Sequence, residues 1–419
     1  MNVLIINAHS SMNKGDAGIM LSMIDSLRSS IDSCNIKIKT RFPEVDAPVY
    51  DVSVAECIEN IKDKKSGKIG KIKIISKLFR QLGTKYDDKS GDYEWADVVV
   101  SCGGGFLLTH GLSVMTLQHL LQIKVALDYK KPVVIYSQSI GPFYNKTIKF
   151  IASMVLKKVD KIFVREYISV KWLKSMGITE SVEVVPDSAF SMHMQQSDEV
   201  DELIASIRRK HSGSLVGLTA RDWHFPEVSD PQGHRARYVE SLRYTVEHLE
   251  KTYQAKVLVM PQVLGPNAFN DDRIISREIL NECKASGAEL IDQDFNPRHL
   301  KYLYSHMDMF IGTRMHSNIF SLANSVPTVA INYEHKTKGI MELLELNDYI
   351  IDINEITSEK LTEMVDRCWL NRETVRQYLN ARIPEVVSSA TLPAQFIGKL
   401  NKKTPSKPSL HHTKTLSSS

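Results

Sequence analysis

The sequence predicts an α/β protein of two domains, each built on a parallel β-sheet, with a cleft between them. Short runs of branched apolar residues recur along the 419-residue chain with helical stretches between them. This pattern is typical of parallel sheets that helices cover on both faces. The length fits two domains, and the sharpest change in composition falls near the middle, around residues 192–201. Strand ends from both halves can then face one ligand.

Nine apolar runs predict strands, and the change in composition divides them into two groups. The first group lies at residues 3–7, 98–101, 133–137, 161–165 and 182–185, and the second at 215–219, 255–260, 307–311 and 328–331. Helical periodicity occupies stretches between them, for example 18–29, 148–159, 202–210 and 238–252. We therefore predict an N-terminal domain at 1–195 and a C-terminal domain at 196–400. Residues 401–419 are rich in Ser, Thr, Lys and Pro, which predicts a disordered tail.

The charge and the cysteine content exclude several classes of protein. The chain has 53 Lys and Arg against 49 Asp and Glu, and four of the lysines lie in the tail. The body is therefore neutral, which gives no basic footprint for a nucleic acid. Five scattered cysteines without a CxxC pair predict a reduced protein. With no signal peptide and no apolar stretch of about 18 residues to span a membrane, we expect a cytoplasmic protein.

Residues 62–89 have a local excess of positive charge, with ten bases against three acids. A helix at 69–80 would gather Lys73, Lys77 and Arg80 on one face. The opposite face would present the apolar residues Ile72, Ile74, Ile75, Leu78 and Phe79. Two interpretations stay open: such a helix can lie peripherally on the anionic inner surface of a membrane, or it can cover the core of its own domain.

Three polar or glycine-rich segments follow strands in the first half. The loop after the first strand contains Asp16, which either contacts a ligand beside free backbone amides or simply caps the next helix. Residues 103–105 are glycines, and Gly104 and Gly105 either let the backbone approach a ligand or supply a sharp turn. Gln138 lies at a further polar strand end. Three such ends in one half favour a binding site.

The second half places cationic side chains at its strand ends. Arg221 follows one predicted strand, and Arg314 and His316 follow another, with Thr313 as the predicted N-cap. Two arginines supply two planar forks, which suit a ligand with phosphate and carboxylate groups. His316 is the predicted proton donor, because a neighbouring anion raises the pKa of an imidazole. Each residue alone could be structural, but their joint placement favours a site.

Gln262 and Lys336 lie at two further strand ends of the second half, where they can complete an anion pocket. The sequence has no HExxH, EF-hand, GxSxG or Walker pattern, and no His and Cys cluster at ligand spacing. We therefore predict neither a metal nor a cofactor.

Eight motifs occur in a fixed order over residues 3–340. They are Gly15-Asp16, Gly103-Gly104-Gly105, the run 138–143, the run 185–190 with Asp187, Arg221, Pro261-Gln262, Thr313-Arg314-Met315-His316, and Tyr333 with Lys336. This order resembles that of the polysaccharide pyruvyl transferases. Met315 stands where the family commonly has leucine between the arginine and the histidine, a change that leaves the flanking residues in place.

The resemblance implies two Rossmann-like domains arranged as in the GT-B glycosyltransferases. It also implies transfer of a pyruvyl group from phosphoenolpyruvate, a co-substrate, to two hydroxyls of a sugar, which forms a cyclic ketal and releases phosphate. The acceptor would be a sugar of a surface polysaccharide or capsule precursor, either free, nucleotide-linked or lipid-linked.

The resemblance also implies roles for particular residues. Arg221 and Arg314 would hold phosphoenolpyruvate, and His316 would protonate its methylene carbon. On the acceptor side stand Asp16, Gly104, Gln138 and Asp187, although Asp187 can equally cap the turn between the domains.

Two other functions stay open from the sequence. A nucleotide-sugar-dependent glycosyltransferase on the same fold would use Arg314 and Lys336 to clamp a diphosphate, since a fold does not fix a function. A non-enzymatic scaffold or sugar-binding partner in a glycan assembly complex would not need Arg314 or His316 at all. Thermal stabilisation by a nucleotide sugar, or by phosphoenolpyruvate, separates the glycosyltransferase from the pyruvyl transferase.

Overall fold

The structure is a computed structural model that describes residues 1–59, 68–265, 270–284 and 287–401. Its strands form two separate sheets. The first sheet contains β1 (Asn2–Ala8), β2 (Asn35–Thr40), β3 (Ser53–Glu56), β4 (Val98–Ser101), β5 (Gly104–Thr109), β6 (Val133–Phe143), β7 (Lys161–Val164) and β8 (Val182–Val184). The second contains β9 (Leu215–Thr219), β10 (Lys256–Val259), β11 (Glu289–Leu290), β12 (Met309–Gly312), β13 (Thr328–Asn332) and β14 (Ile350–Asp352).

Helices connect the strands and cover the sheets. Those that precede β9 are α1 (Lys14–Ser30), α2 (Pro43–Asp46), α3 (Lys68–Gly83), α4 (Asp92–Trp95), α5 (Val114–Asp128), α6 (Lys146–Leu156), α7 (Tyr167–Lys174) and α8 (Asp198–Lys210). Those that follow β9 are α9 (Pro231–Tyr253), α10 (Asp272–Asn281), α11 (Pro297–Ser305), α12 (Met315–Leu322), α13 (His335–Leu343), α14 (Ser358–Leu370), α15 (Arg372–Ala390) and α16 (Leu392–Asn401). No helix in the described ranges is long and apolar enough to cross a membrane.

Both sheets are parallel and share one strand order. The first runs β3-β2-β1-β4-β6-β7-β8, with β5 added to β6, and the second runs β11-β10-β9-β12-β13-β14. In each sheet the order reverses beside its first strand, between β1 and β4 and between β9 and β12. A parallel sheet opens a crevice at the carboxyl ends of its strands at such a reversal. The predicted parallel α/β architecture is confirmed.

Several strands were not predicted from the sequence, and charged or glycine residues explain why. β2 contains Lys37 and Lys39, which interrupt its apolar run. Lys39 is nevertheless buried, because its ammonium donates to Asp92 at 2.5 Å and to Ser90 at 3.0 Å. β5 begins at Gly104, within the glycine segment that we interpreted as a turn or a close approach.

The last described helix corrects the predicted domain limits. The first sheet ends at residue 184 and the second begins at 215, but α16 does not stay with the second sheet. It packs against α1 and β6, and the ring of Phe396 lies 5.8 Å from that of Phe163. The assignment of 196–400 to one domain was therefore wrong for residues 392–400, because the apolar face of α16 is buried on the first domain. Of the predicted disordered tail, residues 401–419, the stretch 402–419 lies outside the described ranges.

The packing of helix α3 shows whether the apolar face of the basic segment 62–89 covers its own domain. Leu78 is buried, and Ile74, Ile75 and Phe79 pack on the core that includes α5. Ile72 does not belong to that apolar face, since it is 65% exposed. The apolar face of α3 therefore covers its own domain, while residues 62–67 lie outside the described ranges. Membrane contact through 62–89 stays a prediction.

Candidate active site

A cavity of about 300 Å³ lies between the two domains, at the carboxyl ends of strands from both sheets. This volume is at the lower end of the range for small-molecule sites. Seven of the predicted site residues line it: Asp16, Gly105, Arg221, Gln262, Arg314, His316 and Lys336. Its lining also includes His9, Phe106, Arg165, Tyr333 and Glu334. Gly104, Gln138 and Asp187 lie behind this wall.

The loop between β1 and α1 forms the N-terminal edge of the cavity. Helix α1 begins at Lys14, and Asn13 is its N-cap, so the alternative role of Asp16 as a cap is wrong. The Asn13 side chain accepts a hydrogen bond from the Gly15 amide at 3.0 Å and donates one to Asp16 at 2.8 Å. Asn13 thereby fixes the Asp16 carboxylate at the cavity. The amide of Lys14 donates to the carbonyl of Gln262 at 3.3 Å, which joins this loop to the other domain.

His316 packs directly on the backbone of Gly15. A Cβ atom built on Gly15 would lie 2.1 Å from Nδ1 of His316 and 2.6 Å from its Cβ. No real Cβ tolerates such a contact, so only glycine lets α12 of the second domain bring the imidazole this close to α1. The glycine of the Gly15-Asp16 pair is therefore required because any larger side chain would collide with His316.

We expect Gly15→Ala to displace the His316 ring and lower catalytic turnover about 100-fold or more, because a misplacement of about 1 Å at a reacting group has this effect. Alanine suits a helix backbone, so the loss should arise from the ring alone. Steady-state kinetics and thermal unfolding of Gly15→Ala, His316→Ala and the double variant would test this. The added methyl group should destabilise the chain only when His316 is present. Gly83→Ala is the control, since its Cβ would meet nothing within 4 Å.

The imidazole of His316 is buried beside an acidic partner from the other domain. Its Nε2 lies 3.9 Å from Oδ2 of Asp187 and makes no hydrogen bond within the described chain. Burial lowers the pKa of His316, although Asp187 and Asp16 both act to raise it. Without a ligand, desolvation together with Arg165 and Lys336 outweighs the two carboxylates, and the rise predicted beside a bound anion stays a prediction.

Asp187 and Arg165 form a buried ion pair behind His316. Arg165 donates to Oδ2 of Asp187 and to Ser139 at 2.7 Å, while the Ala189 amide donates to Oδ1 of Asp187 at 2.9 Å. Burial opposes ionisation of Asp187, but Arg165, His316 and the Ala189 amide together outweigh it and lower the Asp187 pKa. Asp187 caps the 3₁₀ turn Ser188–Ser191 between the domains. It therefore combines the capping role with a position beside the imidazole.

Arg314 is oriented by a carboxylate that the sequence did not indicate. Its Nε and Nη2 donate to Asp272 at 3.0 and 2.5 Å. Asp272 also accepts from the backbone amide of Val263 at 3.0 Å. Burial opposes the charge on Arg314, but Asp272, with smaller contributions from Tyr333 and Tyr238, raises the pKa of the guanidinium. One edge of Arg314 is thus occupied, which leaves Nη1 for a ligand.

The start of α12 also differs from the prediction. Arg314 occupies the N-cap position without a side-chain cap, and Met315 is the first helical residue. Thr313 is not the N-cap: its hydroxyl lies 2.8 Å from that of Tyr238, which accepts from the Arg221 amide at 3.2 Å. Tyr238 therefore ties the ends of β9 and β12 together. His316 remains in the first turn of α12, where the helix dipole favours an anion.

Arg221 is held by aromatic rings rather than by an acid. Its guanidinium carbon lies 4.2 Å from the ring centroid of Tyr333 and 4.9 Å from that of Trp223. In the described part of the chain its guanidinium makes no hydrogen bond or ion pair. Cation–π contacts fix the plane of the group without neutralising it. The hydrogen-bond donors of Arg221 therefore remain available at the cavity.

Lys336 and Gln262 line the cavity on the same side as the two arginines. The Lys336 ammonium lies 3.5 Å from Glu334, and burial lowers the pKa of the amine despite this carboxylate. Gln262 accepts from Tyr304 at 2.7 Å, and its Nε2 has no partner within the described residues. A Cβ on Gly105 would lie 2.6 Å from Nζ of Lys336 and 2.9 Å from Arg165. The glycine thus lets two cations of opposite domains meet at one wall.

Two predicted residues support the wall without lining it. Gly104 has a φ of +128° and pairs with Gln138 in the register of β5 and β6. Gln138 is fully buried, and neither polar atom of its side chain has a partner in the described chain. The structure therefore does not place Gln138 or Gly104 at the cavity surface.

Some lining residues were missed by the sequence prediction. Arg165 ends a predicted strand, so its position resembles that of Arg221, which follows one. His9 follows β1 in the loop that leads to α1 and Asp16, and its ring lies 4.2 Å from that of Phe106. Asp272 gave no signal, because it meets Arg314 only through the packing of α10 against the strand ends.

Comparison with known proteins identifies relatives of this chain. The model of the polysaccharide pyruvyl transferase family matches residues 13–335. The amylovoran biosynthesis protein AmsJ of Erwinia amylovora is 26% identical over 402 residues, which cover 90% of this chain and 94% of AmsJ.

Solved structures show the fold. A UDP-GlcNAc 2-epimerase of Neisseria meningitidis bound to UDP-GlcNAc has a TM-score of 0.60 and 14% identity, with 96% of this chain and 100% of that chain covered. A putative UDP-N-acetylglucosamine 2-epimerase of Listeria monocytogenes has a TM-score of 0.59 and 12% identity, with 94% of both chains covered. These likenesses confirm the predicted GT-B-like pair of Rossmann-like domains. The family match spans most of the chain, and this protein belongs to the polysaccharide pyruvyl transferase family.

Proposed function

We propose that this protein transfers a pyruvyl group from phosphoenolpyruvate to two hydroxyls of one sugar in a cytoplasmic precursor of a surface polysaccharide. The products are a cyclic pyruvyl ketal and inorganic phosphate. The family and the amylovoran relative support pyruvyl transfer in exopolysaccharide synthesis. We assign phosphoenolpyruvate as the donor because three cationic side chains and a buried imidazole line one cavity. These residues are Arg221, Arg314, Lys336 and His316.

The donor fits the cationic side of the cavity. Phosphoenolpyruvate has a phosphate and a carboxylate, and planar guanidinium groups bind such anions through paired hydrogen bonds. Arg221 offers its donors from between two rings. Arg314 donates to Asp272 through Nε and Nη2, so its Nη1 is left to donate to the ligand. We assign the two anionic groups of the donor to these two arginines, with Lys336 and the first turn of α12 as further support.

His316 is the proposed general acid. Protonation of the methylene carbon of phosphoenolpyruvate turns the adjacent carbon into a cationic centre, which one sugar hydroxyl attacks. The C–O bond to phosphate then breaks, and the second hydroxyl closes the ketal. Of the two hydroxyl protons released, one restores the proton that the imidazole gave and the other leaves on the phosphate. The bound donor anion raises the pKa of His316, which opposes the effect of burial.

The acceptor sugar belongs on the N-terminal side of the same cavity. Phe106 and His9 present aromatic faces there, with ring centroids 4.2 Å apart. Asp16 is our candidate for the base that accepts a hydroxyl proton, because Asn13 orients its carboxylate towards the cavity. Gly105 leaves backbone rather than side chain at this wall.

The test is phosphate release from phosphoenolpyruvate in the presence of galactosides, mannosides and N-acetylmannosaminides, with the product mass read in parallel. Acceptor-dependent phosphate release and a product heavier by one pyruvyl ketal would support the proposal. A thermal-shift series with phosphoenolpyruvate, UDP-sugars and GDP-sugars tests donor choice separately, since a ligand at 100 times its Kd adds about 2.7 kcal/mol. Stabilisation by a nucleotide sugar but not by phosphoenolpyruvate would favour the glycosyltransferase instead.

A further inference from the structure

The outer face of α6 and α7 exposes large apolar side chains outside the active site. Phe150 and Met154 of α6 are 65% and 52% exposed, and Tyr144, just before α6, is 63% exposed. Exposed apolar side chains that lie together, rather than singly, mark interaction surfaces. Phe150 and Met154 are four residues apart and therefore occupy one helix face.

These side chains join a continuous surface with the end of α7. The ring of Tyr144 lies 5.9 Å from that of Trp172, and the Lys149 ammonium lies 5.5 Å from the centroid of the same ring. A shallow groove of about 280 Å³ separates the two helices beside Phe150 and Met176. We call this surface, residues 144–158 and 167–179, the α6–α7 face.

The α6–α7 face has positive charge and no negative charge. Neither of its two segments contains Asp or Glu. Six lysines lie on it, and in the described chain none of them forms an ion pair. They are Lys146, Lys149, Lys157, Lys158, Lys171 and Lys174. Uncompensated lysines around exposed aromatic and apolar groups are complementary to an anionic surface that also accepts apolar side chains.

We propose that the α6–α7 face docks this protein on the surface of an anionic lipid bilayer. Lysines are attracted to anionic headgroups, while Phe150 and Met154 enter the boundary between headgroups and acyl chains, and Tyr144 and Trp172 lie at the interface. The basic helix α3 fits this role less well, because its apolar face is buried in the domain and Lys77 is paired with Glu59 at 2.5 Å.

The position of the face relates it to the active site. Strand β5 begins at the cavity, where Gly105 and Phe106 line the wall, and ends beside the α6–α7 face, where the ring of His110 lies 5.5 Å from that of Tyr144. Five residues of extended strand span roughly 17 Å. A lipid-linked acceptor held at the bilayer would therefore lie near the cavity. This last link rests on the proposed function, whereas membrane docking itself does not.

The test is co-sedimentation of the full chain with vesicles of phosphatidylcholine and phosphatidylglycerol, against phosphatidylcholine alone, without any substrate. Phe150→Ser with Met154→Ser should weaken binding roughly tenfold. Lys146→Glu with Lys157→Glu should weaken it at least about 25-fold, since each lysine accounts for about fivefold. Lys73→Glu with Arg80→Glu on α3 changes the net charge equally and should leave binding within about twofold. Thermal unfolding midpoints verify that all variants fold, and phosphate release with a water-soluble acceptor should stay unchanged.

Three results would overturn docking through this face. One is no binding of the wild type to anionic vesicles. Another is loss of binding in the α3 variant but not in the α6 variants, which would assign contact to residues 62–89. The third is binding that salt abolishes but that the Phe150 and Met154 substitutions do not change, which would mean nonspecific adsorption of charge. A failure of the pyruvyl transfer assay alone leaves this proposal intact, because vesicle binding is measured without turnover.

Discussion

Replacing His316 with Ala should lower kcat for acceptor-dependent phosphate release by about 10²–10⁴-fold, the usual contribution of a positioned general acid. Binding of phosphoenolpyruvate should persist, because Arg221 and Arg314 remain in place. Steady-state kinetics give the loss of turnover, and thermal stabilisation by phosphoenolpyruvate reports binding. His248→Ala is the matched control, since His248 pairs with Asp366 on the outside of the second domain. Retention of a tenth or more of wild-type kcat would place the acid elsewhere.

The pH dependence of kcat/KM and of kcat is a second test of His316 as the general acid. An acid must be protonated, and burial lowers the pKa of His316 from its ordinary value near 6.5 in the free enzyme. We therefore expect kcat/KM to fall as the pH rises through a value below 6.5. The profile of kcat should fall at higher pH, because the bound donor anion raises the pKa in the complex. Asp187→Asn removes a charge that raises this pKa, so its kcat/KM limb should shift to lower pH.

Replacing Asp187 with Ala should destabilise the folded chain by about 3–5 kcal/mol at neutral pH. The reason is that Arg165 would remain buried without its carboxylate partner, and an unpaired buried charge has this cost. Chemical denaturation of the wild type and the variant would give the difference. Asp51→Ala is the matched control: its partner Arg28 is exposed, and such surface pairs contribute about 0–1 kcal/mol. Equal losses in the two variants would contradict the assigned role of the buried pair.

The sign of the pH effect on this pair follows from the lowered pKa of Asp187. A carboxyl group whose pKa is lower in the folded chain stabilises that chain above its unfolded pKa, about 3.9. The stabilisation is lost as the pH falls through the folded pKa. The difference in unfolding free energy between wild type and Asp187→Ala should therefore shrink below about pH 4. A difference that stays constant well below about pH 4 would mean that the charge of Asp187 does not stabilise the fold.

The sequence determined the architecture and the strand-end positions of the site. Parallel strands are buried on both faces, so their apolar runs stand out, and functional groups lie where those runs stop. Arg221, Arg314, His316 and Lys336 all follow such runs, and Arg165 lies at the end of another. A strand that contains buried charge, such as β2, does not stand out in this way, since the partner of Lys39 lies far along the chain.

Only the tertiary structure decided which groups meet. Asp272 orients Arg314, Asp187 faces His316 across the two domains, and Gly15 leaves room for the imidazole. The structure also shows that α16 packs on the first domain and that the apolar face of α3 is buried, neither of which followed from the sequence. Each of these contacts joins segments that are distant in the sequence, and their direction depends on how helices pack on the strand ends. Local periodicity determines that an element forms and which face is apolar, but the surroundings of a charged side chain are set by its neighbours in space.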